Sequence, residues 1–469
     1  MNNLNTPRVR FAPSPTGRMH VGHMRAALPN ALFAKRSNGA FILRFEDTDM
    51  ERQVQDAEQA FLADMAWLNL TPDESIAQEG ATGPYNTLAR HERGDYKNAV
   101  QKLMDMGRAY ECFTSPEELE VMRKLQRARN EPPRYDNRHR DLTEEQKETY
   151  RAEGRVPVIR FKLEDGEIRF NDLVRGEQIF LAENLGGDPV IVRSSGTPLF
   201  TLGGVVDDIN MGITHVIRGE DHVVNTAQQV QIFQALDAEL PTFAHLPMML
   251  DKDGHKMSKR LGALKIEDLR QQGILPQAIN SYMAGLGFSE AAPLAMDELA
   301  NWFDLTKIGK APVRFDEEQL TRINMHVIHD LSLEDVKPYL KDFLPEDALN
   351  RSRLEYFWNA ARENIETLAD LKDLYHMAFE EPAADASIPA EDKEYLTEAL
   401  NTLPSGDFTP ETWKEWTGVL KEKTGRKGKQ LFMPLRKALT GQDHGPDMSN
   451  LLPVIGEEAA RTRLSRCCS

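Results

Sequence analysis

The sequence predicts an α/β fold: a doubly wound parallel-sheet domain carrying an inserted α+β domain, followed by all-α C-terminal domains. Three observations carry this. Apolar strand-like runs alternate with helix-like periods over residues 8–110, and the alternation returns at Val190. Between them, residues 111–190 are charged and irregular. After Pro276 the chain reads as helix, broken at Pro293, Pro312, Pro345 and around Pro382 to Pro389, with no run of short alternating strands.

In order along the chain, residues 8–12 read as a short buried strand that Pro13, Pro15 and Gly17 terminate. A helix over 21–36 follows, although Pro29 lies inside it, at a usual cost of about 3 kcal/mol, and the sequence offers no reason for it. Strand 40–46, helix 51–67 and helix 91–107 complete the first half of a parallel sheet, in which ligands sit beyond the carboxyl ends of the strands. Over 111–190 a charged helix, 116–129, precedes the turn at Pro132-Pro133, another helix, and strands near 158–163 and 168–171. Strand 190–193, helix 201–211, strand 214–218 and a helix from Thr226 are expected to complete the sheet. The resulting division is 1–110, 111–190, 191–250, 251–320 and 321–469.

At 469 residues the chain exceeds one core, and 40% hydrophobic content supports a folded protein. No apolar run approaches the length of a membrane span, and MNNLNTPRVR lacks the apolar core of a secretory signal. Three cysteines, two of them adjacent at Cys467 and Cys468, give no disulfide framework, so a reducing cytoplasmic location is expected. A net charge of −17 argues against a nucleic-acid partner only until its distribution is considered, since screening hides acidic surface beyond a Debye length of about 8 Å. Cations do cluster: Arg123, Lys124, Arg127, Arg129, Arg134, Arg138, Arg140 and Arg151 in one stretch, and Lys421, Lys423, Arg426, Lys427, Lys429, Arg436 and Lys437 in another whose one acid is Glu422. Phe432 adds a stacking face to the second.

Two stretches carry chemistry. His20-Val21-Gly22-His23 opens the first helix, where unpaired amides and the helix dipole favour an anion and two imidazoles three residues apart face one side. Gly22 would let a ligand approach the backbone. The alternative is a helix start with two exposed histidines. Lys256-Met257-Ser258-Lys259-Arg260, on a loop preceded by Asp251-Lys252-Asp253-Gly254-His255, suits a polyphosphate held by point charges and a guanidinium fork. Alone it would equally be a solvated basic loop.

Together these resemble the two signature motifs of class I aminoacyl-tRNA synthetases. With Arg10 to Gly17, the block Phe41 to Asp49, Val205-Val206-Asp207-Asp208 and Val216 to His222, the chain resembles the bacterial glutamyl-tRNA synthetase family over nearly its whole length. The resemblance implies ATP-dependent joining of L-glutamate to tRNA(Glu), with Mg²⁺ beside the ATP and no protein-derived metal ligand. It implies catalytic roles for His20, His23, Lys256 and Lys259, and ATP contacts from these and Gly17, Gly22, Asp221, Met249, Met257, Ser258 and Arg260. For glutamate it implies Arg10, Ala12, Ser14, Glu46, Phe200 and Arg218: arginines for the two carboxylates, Glu46 for the ammonium. Contacts with tRNA fall to Arg138 in the acceptor-binding insertion and to Asn364, Arg426, Lys427, Lys429 and Arg436 in the anticodon-binding region. A monomer is expected.

Three departures from that family are visible. Phe200 stands where relatives often place a tyrosine. Cys112 is followed by Thr114 where zinc-binding members have a second cysteine, so no structural zinc is expected, one ligand being too few for a four-coordinate site. Asn364 stands where discriminating members carry an arginine, which suggests an enzyme that also charges tRNA(Gln) with glutamate. Glutaminyl-tRNA synthetase is disfavoured by the helical C-terminal half, and the glutamyl-queuosine enzyme and a nucleotidylyltransferase by the presence of a tRNA-binding half. A catalytically silent tRNA-binding paralogue is disfavoured by intact His20, His23, Lys256 and Lys259.

Overall fold

The computed structural model describes residues 6–15, 17–46, 57–255, 264–289, 293–350, 352–380 and 389–468. The Lys256 to Arg260 motif lies outside the described residues. The chain divides into two compact units, Met1–Glu267 with Asn280–Asp316, and Asp268–Ile279 with Glu317–Ser469.

The first unit begins with β1 (Arg8–Phe11), α1 (Val21–Arg36), β2 (Ala40–Leu43) and α2 (Ala57–Trp67). Then come α3 (Thr87–Arg93), α4 (Asp95–Asp105), β3 (Ala109–Cys112), α5 (Pro116–Ala128), α6 (Glu144–Ala152) and β4 (Val158–Phe161). β5 (Glu167–Asp172), β6 (Gly176–Leu181), β7 (Val190–Val192), α7 (Phe200–Asn210), β8 (His215–Gly219), α8 (Val223–Ala235), β9 (Thr242–Leu246) and β10 (Met249–Leu250) follow, with β11 (Val313–Arg314) later. The main sheet runs β2-β1-β8-β9-β5-β6, parallel throughout except for the β5–β6 hairpin. Strand order leaves β1 in one direction toward β2 and β8 in the other toward β9, so the switch point falls between β1 and β8. A crevice opens at such a point because the connections on its two sides leave toward opposite faces.

The expected helix 91–107 is two, because Gly94 at φ +91° ends α3 with a left-handed cap. Strand β7 does not complete the parallel sheet: it pairs antiparallel with β4, which pairs with β3 in a separate three-stranded sheet. Conversely, β5 and β6, from the stretch expected to lie wholly in the insertion, extend the main sheet beyond β9. A short run such as Val190–Val192 suits any sheet, and its partner is chosen by chain connection, not local pattern. Helix α1 passes through buried Pro29, and the adjacent Asn30 amide donates to Ala26 O at 2.8 Å and Ile217 O at 3.0 Å, tying α1 to β8. The core between sheet and helices includes Ile42, Leu202, Val206, Val216, Val230 and Phe243.

The second unit is helical, among its described helices Glu317–Asp330, Leu354–Ala361, Leu371–Phe379, Pro410–Thr424, Lys429–Thr440 and Met448–Cys468. The last is two helices joined at Gly456, where φ is +77° and where a Cβ would collide with the Arg353 guanidinium. Trp358 and Trp416 are fully buried within the unit. Arg463, 3% exposed, donates to four carbonyls: Met377 O, Leu439 O, Ala378 O and Glu380 O, at 2.6–3.1 Å. It thereby satisfies helix C-terminal carbonyls that have no partner of their own. Arg463→Met is expected to destabilise this unit by about 3 kcal/mol in urea unfolding, since several buried acceptors are orphaned at once.

Candidate active site

Arg10 and Arg218 sit near the carboxyl ends of the two strands flanking the switch point, β1 and β8, and both are buried. Their environments differ. The Arg10 Nε donates to both oxygens of Asp208 at 3.1 and 3.3 Å. Asp208 also accepts from Arg44 at 2.8 Å, and Arg44 in turn reaches Glu46 Oε1 at 3.4 Å and lies 3.5 Å from Asp207 Oδ2. Burial would raise the Asp208 carboxyl, but Arg10 and Arg44 outweigh it and hold the group below the usual carboxylate range. Burial also raises Glu46, an effect Arg44 and Arg10 only partly offset. Glu46 is thus a carboxylate short of positive charge.

Among the described residues no carboxylate is bonded to Arg218. Its Nη2 donates to Thr226 Oγ1 and Gln229 Oε1, each at 2.6 Å, and its Nε lies 3.4 Å from His245 Nε2. Thr226 Oγ1 is 2.8 Å from the same nitrogen, and His245 Nδ1 is 2.5 Å from Asp172 Oδ2. Burial, reinforced by Arg10, pushes the guanidinium down to about 9. It remains a cation at neutral pH, fixed by neutral acceptors, with Asp208, Glu46 and Asp221 acting on it through space. The Phe200 ring lies 5.8 Å from the Arg218 guanidinium and 5.1 Å from the His222 ring, so an aromatic wall takes the place of a hydroxyl there.

His20 is the cap of α1 and not a member of its first turn. Its Nδ1 accepts from His23 N at 3.3 Å, while His23 Nδ1 accepts from His20 N at 3.4 Å, and the rings stack with centroids 3.6 Å apart. With both Nδ1 atoms accepting, the proton of each neutral ring belongs on Nε2. Both rings are held neutral: burial lowers His20, and burial with the neighbouring His20 brings His23 down to about 3. A Cβ at Gly22 would meet the His20 ring at 2.9 Å, so this glycine is required by the stacked pair as well as by the open space beside it.

A cavity of about 230 Å³ opens beside Arg10 and Arg218; Gly22 lines it, whereas His20 and His23 do not. Arg10, Ala12, Glu46, Phe200 and Arg218 line it together with Gly22, Arg25, Ala26, Gly219, Asp221 and His222. Ser14 and Gly17 lie on the loop before α1, outside this lining, and Met249 is buried in β10, immediately before the loop that carries His255. Among the residues this site depends on, sequence reasoning assigned no role to Arg25, Arg44, Asp208, Thr226, Gln229 or His245. The legible signal was charge inside apolar runs: Arg44 after β2, and Asp207-Asp208 in the apolar helix α7, both of which demand partners.

Cys112 is buried with Tyr135 Oη 3.2 Å from its sulfur, Thr114 Oγ1 at 3.5 Å and the Arg160 Nε donating at 3.3 Å. His139 Nδ1 approaches Thr114 Oγ1 at 3.2 Å. Burial would raise the thiol, but hydrogen bonds from His139, Thr114 and Tyr135 bring it below the ordinary range.

Of the cations expected at RNA, Arg138 is exposed and clasps Asp136 at 2.7 Å. Lys427 and Lys429 are exposed. Arg426 and Arg436 are engaged within the unit: Arg426 pairs with Asp392 at 2.5 Å and lies over Tyr395, and Arg436 donates to Pro446 O at 2.9 Å. Asn364 is exposed in the turn after Leu354–Ala361 and not inside that helix, its amide donating to Ala360 O at 3.0 Å. It lines a groove of about 800 Å³ with Gly441, Gln442 and His444.

Residues 7–322 match the family model for the catalytic domain of class I tRNA synthetases (E and Q), and residues 332–468 match an anticodon binding domain. The chain is 43% identical over 464 residues to glutamate–tRNA ligase 2 of Hyphomonas neptunium, covering 98% of this chain and 100% of that protein. It is 42% identical to glutamate–tRNA ligase 1 of Chelativorans sp., covering 98% and 99%. Among solved structures, a glutamate tRNA ligase from Elizabethkingia meningosepticum in complex with its amino acid aligns with a TM-score of 0.86 at 30% identity, covering 99% of both chains.

Proposed function

Because this chain belongs to the class I tRNA synthetases of the glutamate and glutamine type, we propose that it activates L-glutamate with ATP and Mg²⁺ and transfers it to the terminal ribose of tRNA(Glu). The observation that carries the choice of amino acid is the pairing of Arg218, a buried cation with no carboxylate bonded to it among the described residues, with Arg10 and Glu46 in one cavity. Two guanidinium groups answer two carboxylates and Glu46 answers an ammonium. Glutamine fits less well, because a guanidinium only donates and the amide nitrogen cannot accept.

In the first step the α-carboxylate oxygen attacks the α-phosphorus, forming the acyl phosphate bond as pyrophosphate leaves. In the second, a ribose hydroxyl attacks the carbonyl, losing its proton as AMP departs. No side-chain nucleophile is needed; positioning and charge stabilisation do the work. The Nε2 protons of His20 and His23 serve the phosphates, and Lys256 and Lys259 take the leaving pyrophosphate. Residues 111–190 meet the acceptor stem and the helical unit the anticodon, with exposed Lys427 and Lys429 the better candidates for phosphate contacts than the internally bonded Arg426 and Arg436. The enzyme works as a monomer in the cytoplasm.

Asn364 supports a broader tRNA choice: it is exposed, short and uncharged, and borders a groove. Glutamylation of transcripts of the two tRNAs, for glutamate and for glutamine, tests both parts. Charging of both is expected, and Asn364→Arg is expected to cut charging of tRNA(Gln) by about tenfold or more while sparing tRNA(Glu), the size of one discriminating contact. Charging of tRNA(Glu) alone by the wild type would sink the broad-choice proposal and leave the enzyme; charging of neither would sink the reading itself.

A further inference from the structure

Among the described residues, Arg25 is the one cation of the cavity lining that the two-carboxylate reading leaves unused. It lies on α1 two residues beyond His23 and is 8% exposed. Its Nη1 donates to Leu286 O at 2.8 Å, while Nε and Nη2 are buried without a hydrogen-bond partner among the described residues. A guanidinium taken out of water normally recovers its hydration in pairing, and here two donors recover nothing. The other two guanidinium groups of the wall are held otherwise, Arg10 by Asp208 and Arg218 by Thr226 and Gln229. Burial pushes Arg25 down to about 10, with Glu220 the opposing influence. Glu220 itself is bonded to Arg175 and to Met248 N. The wall therefore holds a third cation built to receive an oxyanion.

Glutamate offers no third anionic group once Arg10 and Arg218 have its carboxylates. The α-phosphate of ATP does, and it must come within bonding distance of the amino-acid carboxylate, so it has to reach this cavity. Arg25 shares α1 with Gly22 and follows the two histidines assigned to phosphate. We propose that Arg25 contacts a non-bridging oxygen of the α-phosphate, during its displacement and in the adenylate that results; this rests on the glutamate-activation reading. The α-phosphorus passes through a five-coordinate state whose equatorial oxygens carry the charge, and one negative charge stays on the phosphate after pyrophosphate leaves. A preorganised donor there acts on the transition state more than on bound glutamate.

The test uses full-length Arg25→Gln and Arg25→Lys, with melting temperatures recorded, in glutamate-dependent ATP–pyrophosphate exchange with tRNA present. For Arg25→Gln the expected result is a fall in kcat of about 10²-fold, the usual loss for one oxyanion donor, with the KM for glutamate unchanged and partial recovery in Arg25→Lys. A rise in the KM for glutamate at unaltered kcat would assign the cation to a carboxylate and overturn the proposal. Unaltered kinetics would reduce Arg25 to a clamp on Leu286 and overturn it as well. Where Arg25→Gln fails to fold, Arg25→Lys decides: its preference for glutamol-adenylate over the same molecule with a neutral, methylated phosphate is expected to fall below the wild-type preference, and an equal preference rejects the contact. That binding comparison stands even if the wild type shows no exchange, an outcome that would count against the activation reading instead.

Discussion

Arg218→Gln is expected to lower kcat/KM for glutamate by about a thousandfold, on the order of 4 kcal/mol, measured by pyrophosphate exchange with tRNA present. The magnitude follows from what surrounds the side chain. Thr226, Gln229 and His245 fix the guanidinium at 2.6–3.4 Å without supplying charge, so among the described residues no bonded carboxylate competes with an incoming one. Removing it leaves a buried substrate anion facing neutral acceptors. Arg218→Lys is expected to recover little, because one ammonium cannot span Thr226 and Gln229 and still present donors to a carboxylate. Gln229→Leu should act more mildly and through KM, since it loosens the guanidinium without removing the charge. If Arg218→Gln retains wild-type kcat/KM, the carboxylate assignment fails.

Asp208→Asn is expected to have the largest effect on stability, about 3–5 kcal/mol in urea unfolding, with weakened glutamate binding in whatever folds. Its carboxylate is shared by Arg10 and Arg44, and Arg44 is wholly buried. The neutral amide would leave both cations undercompensated. The pH dependence has a definite sign. The folded state holds Asp208 below its ordinary value, so its contribution is present above about pH 4 and is lost as the pH falls through the lower folded value. Asp208→Asn should abolish that acid-side loss. Asp207 is the control: burial raises it to about 6 despite Arg44 and Arg90, so its charge is poorly repaid and Asp207→Asn should cost less. Equal losses in the two variants would contradict this account.

The cavity shows why some of the site was readable and some was not. His20 and His23 were readable because a helix start with unpaired amides favours an anion, whereas Arg10, Glu46 and Arg218 were readable only through the family resemblance, since by themselves they look like ordinary strand ends. The partners that make them effective come from far along the chain: Asp208 is 198 residues from Arg10, and Asp172 is 73 from His245. No local pattern links such positions.

By itself the sequence determined the helix Val21–Arg36, the alternation that makes a parallel sheet, the helical character of the C-terminal half and the resemblance carried by the signature residues. These depend on periodicity, turn chemistry and short motifs, each written within a few residues. Tertiary structure alone decided that β7 joins an antiparallel sheet, that β5 and β6 extend the main one, that Arg426 is ion-paired with Asp392 and Arg436 bonded to Pro446 O, and that Arg25 is buried with donors to spare. Strand partnership and charge pairing are settled by which segments reach one another when the core closes, because a buried charge or an unpaired strand edge finds its free energy only in the partner that arrives.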